Sequence, residues 1–228
     1  MTDLSLLDAA RPRRFDLVVF DWDGTLFDST ALIVQSIQAA CRDLGVDVPD
    51  DERASYVIGL SLRSAMEHAA PGLAPDRYPL LADRYRHHYL QRQHALTLFP
   101  GVIELLQALR ARNHWLAVAT GKSRAGLDEA LATSELKGVF DGSRTADETR
   151  SKPDPLMLHE LMRQFGVEPE RTLMIGDTTH DLQLAANAGV PSIAVSYGAH
   201  PTSGFATHSP LLVAHSVAEL AAWLEQHA

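Results

Sequence analysis

The sequence predicts an α/β fold, a parallel sheet with helices on both faces, interrupted after its first strand by an inserted block of helices. Three observations carry this. The apolar run Leu17-Val18-Val19-Phe20 reads as a buried strand. Residues 28–96 show helical spacing and hardly any strand signal. After Pro100-Gly101, helix and strand patterns alternate to the end, as in the βα units that build parallel sheets.

Within the helical block, Ile33, Ile37, Ala40, Cys41 and Leu44 recur at helical spacing until "LGVDVPDD" breaks the pattern. Two further helices are expected over roughly 51–69 and 76–94, parted by "PGLAPD". The second carries Leu81, Tyr85, His88, Tyr89 and Arg92 along one face. In the alternating part, "VIELLQALRAR" places Val102, Leu105, Leu106 and Leu109 in helical register, and "WLAVAT" is a short apolar strand. "RAGLDEALATSEL" follows as a helix, and "VFDGSRTAD" holds another strand. "DPLMLHELMRQFG" reads as a helix with Asp154 as N-cap, Pro155 in the first turn and Gly166 as the stop. "TLMIG" and "SIAVS" are strands around the helix "DLQLAANAG", and "VAELAAWLEQ" closes the chain. The expected division is a mobile tail over 1–14, a core formed by 15–27 and 97–228, and a helical domain over 28–96. Hinges are expected near 28–30 and 95–100.

Composition narrows the function. A chain of 228 residues with 46% hydrophobic content can bury a substantial core. It contains no run of about 18 uncharged apolar residues, so no membrane partner is expected. The start, "MTDLSLLDAARPRR", has its acids early and its basic residues late, the reverse of a signal peptide. Cys41 is the single cysteine, which excludes internal disulfides and cysteine-cluster zinc sites, and a cytoplasmic setting is expected. The formal net charge of −9 disfavours nucleic acid as a partner. Any small anionic substrate therefore needs a strongly positive local site.

Three expected strands end in polar residues: Phe20-Asp21, Ala119-Thr120-Gly121, and Ile175-Gly176-Asp177-Thr178. Sites in such sheets form outside the carboxyl ends of the strands. If these ends meet, Asp21, Asp23, Asp177 and Asp181 share one small volume. Two carboxylates ~4 Å apart repel by about 4 kcal/mol at an effective dielectric near 20. Protons or a cation must relieve that, and a hard cation with oxygen ligands, Mg²⁺, is the economical answer. No histidine pair is suitably spaced beside these acids.

With these motifs the chain resembles the haloacid dehalogenase-like hydrolase superfamily. "DWDGTLFDS" is similar to its first motif, "VATG" to the second, "SKPDP" to the third and "GDTTHD" to the fourth, in order over residues 15–200. The resemblance implies a Rossmann-like core, and the helical insertion resembles the C1 cap of phosphoglycolate-phosphatase-like and β-phosphoglucomutase-like members. It implies Asp21 as nucleophile, forming an aspartyl-phosphate. Asp23 is implied as acid and base, its backbone carbonyl facing the metal. Gly24 is implied to permit the turn that brings backbone N–H groups toward phosphate. Thr120 and the Gly121 amide hold phosphoryl oxygens on this reading, while Lys152 offsets charge on Asp21 and the phosphate. Mg²⁺ would then be held by Asp21, Asp23 and Asp177, with Asp181 in the inner or second shell.

The implied activity is Mg²⁺-dependent hydrolysis of a small phosphorylated metabolite, phosphoglycolate being the named expectation, by a monomer or homodimer. Asp23 argues against a dehalogenase, whose relatives lack an acid there. The absence of lysine from 28–96 argues against a Schiff-base phosphonoacetaldehyde hydrolase. A β-phosphoglucomutase-like phosphotransferase, a pyrophosphatase or nucleotidase of the same superfamily, and a non-catalytic phosphometabolite-binding protein are the alternatives. Only Lys122, Lys137 and Lys152 exist, so a lysine directly before Pro153 is informative. Lys122 could also reach phosphate. Arg63, in "IGLSLRSAM", is the insert residue expected to meet a substrate anion. His180 is expected as a solvated loop residue, and His87, His88 and His94 as surface or packing residues.

Overall fold

The structure, a computed structural model, describes residues 13–133 and 135–228. The expected tail lies outside the described residues except at its end, where Arg13 pairs with Asp16 and Arg14 lies over the Phe15 ring.

Six parallel strands form one sheet: β1 (Leu17–Phe20), β2 (Trp115–Thr120), β3 (Gly142–Thr145), β4 (Thr172–Gly176), β5 (Ser192–Val195) and β6 (Val213–Ala214). Their spatial order is β3-β2-β1-β4-β5-β6. The chain thus builds outward from β1 in one direction, then returns to lay β4 on its other side. A crevice opens at such a reversal, outside the strands' carboxyl ends. Alternate side chains of β1 serve opposite faces, as the pleat requires. Val18 and Phe20 pack with the helices α5 (Val102–Ala111) and α9 (Val217–His227). Leu17 and Val19 pack with α7 (Leu156–Phe165) and α8 (Thr179–Asn187). Both faces are buried, which explains why the strands read as continuous apolar runs. The remaining helix of this part is α6 (Arg124–Thr133).

Residues between β1 and α5 form α1 (Thr30–Asp43), α2 (Asp51–Tyr56), α3 (Leu62–Ala69) and α4 (Tyr78–Leu90) around their own apolar cluster. Ile33, Ile37, Ala40 and Cys41 of α1 meet Ala54, Met66 and Leu81 there. His88 and Arg92 extend the contact, reaching Asp43 and Gln35 on α1. Where the chain leaves and re-enters the sheet layer, its two crossings run side by side: Asp28 N–H donates to Thr97 O and Phe99 N–H to Leu26 O.

Three expectations need correction. The helix expected over 51–69 is two, because Gly59 adopts a left-handed φ of 91° and Ser61 caps a new helix at Leu62. The helix expected from Asp154 starts at Leu156 with Pro155 as N-cap, although the Asp154 carboxylate still accepts from Leu156 N–H. Strand β6 was not expected, since two residues carry no readable periodicity. Among the described residues no helix is long and apolar enough to cross a membrane.

Candidate active site

Strand β1 delivers Asp21 and strand β4 delivers Asp177 because Phe20 and Ile175 are in register as Cα partners. Asp181 stands on the first turn of α8, just past the same strand end. Lys152 comes from the loop before α7. The four side chains meet in a dry pocket, where Asp21, Asp177, Asp181 and Lys152 are each no more than 2% exposed. The Lys152 ammonium bridges Asp21 Oδ1 at 2.5 Å and Asp181 Oδ1 at 2.6 Å. Ligand oxygens of Asp21, Asp177 and Asp181 all lie within 4.8 Å of one another.

Glycines make this packing possible. A Cβ on Gly24, which holds φ at 85°, would stand 2.2 Å from Asp177 Oδ2. A Cβ on Gly198 would meet the same oxygen at 2.2 Å, so the Asp177 carboxylate is clamped between two backbones. Its oxygens accept from the Thr25 hydroxyl at 2.9 Å and from Ala199 N–H at 2.7 Å. Asp181 completes a capping box with Thr178, accepting from that residue's amide and hydroxyl through Oδ2. It therefore serves the helix start and Lys152 together.

Charge in this pocket does not balance. Three carboxylates face one ammonium. Burial, reinforced by the charges of Asp181 and Asp23, outweighs Lys152 and pushes the Asp21 carboxyl up to about 7. Burial, then Asp21 and Asp181, raises Asp177 well above the usual carboxylate range. Lys152 moves the other way: burial opposes its charge, yet Asp181 and Asp21 outweigh that and hold it above the ordinary lysine value. Asp21 Oδ2 is buried without a hydrogen-bond partner. Such an atom costs about 1–3 kcal/mol, more where the group is charged. An orphaned carboxylate oxygen beside two further acids is a donor set that fits a hard divalent cation.

Asp23 turns away from this cluster. Its Oδ1 accepts from the Ser29 hydroxyl at 2.8 Å and its Oδ2 lies 3.0 Å from the Lys122 ammonium. Ser29, the α1 N-cap residue, makes no side-chain cap bond and spends its hydroxyl on Asp23. Lys122 also donates to the Tyr89 hydroxyl at 3.1 Å. Thr120, buried, accepts from Lys122 N–H. Gly121 packs against the insert, where an added Cβ would fall 2.4 Å from Leu60 O. The Gly24 amide is committed to Phe27 O, so the turn itself, rather than this N–H group, is what the residue provides. Arg63 lies at the rim of the cavity above the acids, 82% exposed and paired with Glu67 at 2.9 Å. Among the described residues each buried lysine is matched by carboxylates, so these side chains alone do not make the strongly positive site that a small anion needs.

The site also holds residues beyond those expected. Thr25, Gly198 and Ala199 position Asp177, and only Thr25 lies in a recognisable motif. His180 is buried, not solvated, and donates from Nε2 to the insert's Tyr56 O at 2.7 Å. His200, for which no sequence signal exists, donates to the same carbonyl at 3.0 Å while its Nδ1 accepts from Thr179 N–H. Burial, then neighbouring His180, lowers His200 to about 4, so it stays neutral. His88 pairs with Asp43, away from the acids.

The chain is similar to known proteins in sequence and fold. A family model described as haloacid dehalogenase-like hydrolase matches residues 18–195. A probable phosphatase, IndB, from Dickeya dadantii is 34% identical over 90% of this chain and 91% of its own length. A 5'-nucleotidase from Pseudomonas aeruginosa is 33% identical over 94% and 97%. The crystal structure of a predicted phosphoglycolate phosphatase from Haemophilus somnus superposes with a TM-score of 0.79 at 25% identity, over 91% of this chain and 96% of that one.

Proposed function

The chain belongs to the haloacid dehalogenase-like hydrolase family, and from that premise we propose that it is a Mg²⁺-dependent phosphatase acting on a small phosphomonoester through an aspartyl-phosphate at Asp21. The observation that carries this reading is the Asp21 carboxylate: one oxygen is fixed by Lys152, and the other is buried, unpartnered and beside Asp177.

Asp21 and Asp177, with the Asp23 backbone carbonyl, would hold the cation, and Asp181 would steady Asp177 and Lys152 from behind. A bound Mg²⁺ supplies the positive charge that keeps Asp21 ionised and offsets the phosphoryl oxygens. The free Asp21 oxygen attacks phosphorus as the bond to the leaving oxygen breaks. Asp23 gives that oxygen a proton, then takes one from the water that cleaves the Asp21–phosphorus bond. Thr120 and Lys152 orient the phosphoryl group. Ser29 and Lys122 set the direction of Asp23; its pair with Lys122 is weakened while Asp23 carries the proton and tightens once that proton is passed to the leaving oxygen. The segment 28–96 acts as a cap, moving on its paired crossings and closing the site to bulk water. The resemblance and the Haemophilus relative's description suggest phosphoglycolate, whereas the lining of the cavity favours a larger, uncharged alcohol.

Phosphate release from p-nitrophenyl phosphate tests the reading. Turnover is expected with Mg²⁺ and is lost with EDTA, and the Asp21 peptide carries a phosphoryl group after rapid quenching. Metal-independent turnover, or a phosphoryl group found elsewhere, overturns it.

A further inference from the structure

We propose that the alcohol released at this site is uncharged and carries a ring, an inference that rests on the phosphatase reading and selects its substrate class. The acids Asp21 and Asp23 open into a cavity of about 710 Å³. That size belongs to sites that enclose a whole drug-sized molecule. In this arrangement of the insert a two-carbon glycolate would reach little beyond the phosphoryl end.

Beyond the phosphoryl end one wall, built by the insert, is largely apolar. Leu60, Leu62 and Leu90 line it with partly exposed side chains, together with Tyr85 and Tyr89, over the buried Ile33 and Ile37 of the insert's cluster. The two tyrosine rings stack on each other, with centroids 5.8 Å apart and planes inclined by 24°. Such a surface takes up a flat, apolar face and gains little from a hydrated group.

Charge points the same way. Three cations reach the cavity, and each already has an anionic partner: Lys122 with Asp23, Arg63 with Glu67, and Arg86 with Asp83. Arg63 and Arg86 are also more than half exposed, so water screens them. Glu129 and Asp147 add negative charge to the wall. A carboxylate on the leaving group would have to displace the enclosed Lys122–Asp23 pair or turn to the screened Arg63 and Arg86, and neither gives it a firm counter-ion. A nucleoside and an arylalkyl alcohol both satisfy the chemistry that remains.

The test compares phosphate release from ethyl phosphate, phosphoglycolate, phenylethyl phosphate and adenosine 5'-monophosphate. Their leaving oxygens are all aliphatic, so differences report recognition more than leaving-group quality. A ring-bearing ester is expected to exceed ethyl phosphate and phosphoglycolate in kcat/KM by about tenfold or more. Whichever of phenylethyl phosphate and the nucleotide leads identifies the ring. In Tyr85→Ala the ratio of ring-bearing to ethyl ester should fall several-fold, mainly through KM. Turnover with phosphoglycolate equal or superior overturns the inference and leaves the phosphatase reading standing. No release from any ester overturns both. The native series decides by itself if the variant fails to fold, and an unchanged ratio in a folded Tyr85→Ala overturns the wall as the recognition element.

Discussion

Asp21 and Asp23 leave the same strand and each meets a lysine, but the two pairs live in different surroundings. Lys152 and Asp21 are almost fully buried, and both come from the sheet layer, as does the third partner, Asp181. Lys122 and Asp23 each keep 13% side-chain exposure and border the cavity, and their third partner is Tyr89 from α4 of the insert. The first pair is short of positive charge, and all its ionic partners come from the sheet layer. The second is a joint between sheet layer and insert, at the border of the cavity. One motif thus yields an interior electrostatic site and a boundary site, which should respond differently to substitution, pH and substrate.

The largest effect is expected at the interior pair. Asp21→Asn should reduce kcat by about 10⁵-fold or more while circular dichroism and the unfolding midpoint are kept. Substantial residual turnover would remove the reason for treating this pair as the reacting one. Lys152→Met should cost about 3–5 kcal/mol in denaturant unfolding, because it strands Asp21 and Asp181 without their shared cation. A loss no larger than that of Lys122→Gln would erase the contrast between the pairs.

At the boundary pair, Asp23→Asn should slow esters of poor leaving groups by about 10³-fold and p-nitrophenyl phosphate far less. Equal losses would assign Asp23 to holding the site together instead of moving a proton. Solution pH gives a further separation. The folded Asp21 carboxyl sits at about 7 against an ordinary 3.8, so its contribution is fully present below about 4 and lost as pH rises through 7. Metal-free protein should therefore lose about 3 kcal/mol of stability between pH 5 and 8, and saturating Mg²⁺ should flatten that slope. A Mg²⁺-independent slope would contradict a cation site at Asp21. The smallest effect belongs to Lys122→Gln, about tenfold or less in kcat/KM, because a partly exposed ion pair contributes little. Its signature should be a changed dependence on the leaving group, with the pH-dependence of stability left intact.

Much of this was legible beforehand. The runs "WLAVAT" and "TLMIG" correspond to β2 and β4 residue for residue, because strands buried on both faces must be continuously apolar. Gly166 ends α7 in a left-handed conformation, as its position announced. Asp21, Asp177, Asp181 and Lys152 could be named because each stands at a strand end or helix start with local punctuation around it. Other features had no such signal. The Lys122–Asp23 pair joins two loops with nothing in either to mark the other. Tyr56 O receives two histidine N–H groups only because α2 lies over the start of α8. The break at Gly59 was visible as a residue but not as a left-handed turn, since helical spacing continues on either side of it.

By itself, the sequence determined the alternation of elements, the inserted helices and the three acids that gather at the strand ends, Asp21, Asp177 and Asp181, because these follow from periodicities and turns within a few residues; that Asp23 turns aside was not among them. Tertiary structure decided which acid each lysine meets, that the Asp21 oxygen is left bare, and that the cavity beside the acids is bordered by tyrosine and aliphatic side chains. Those outcomes depend on distances between segments remote in the chain. Electrostatic and packing energies vary steeply over those distances, and local spacing carries no record of them.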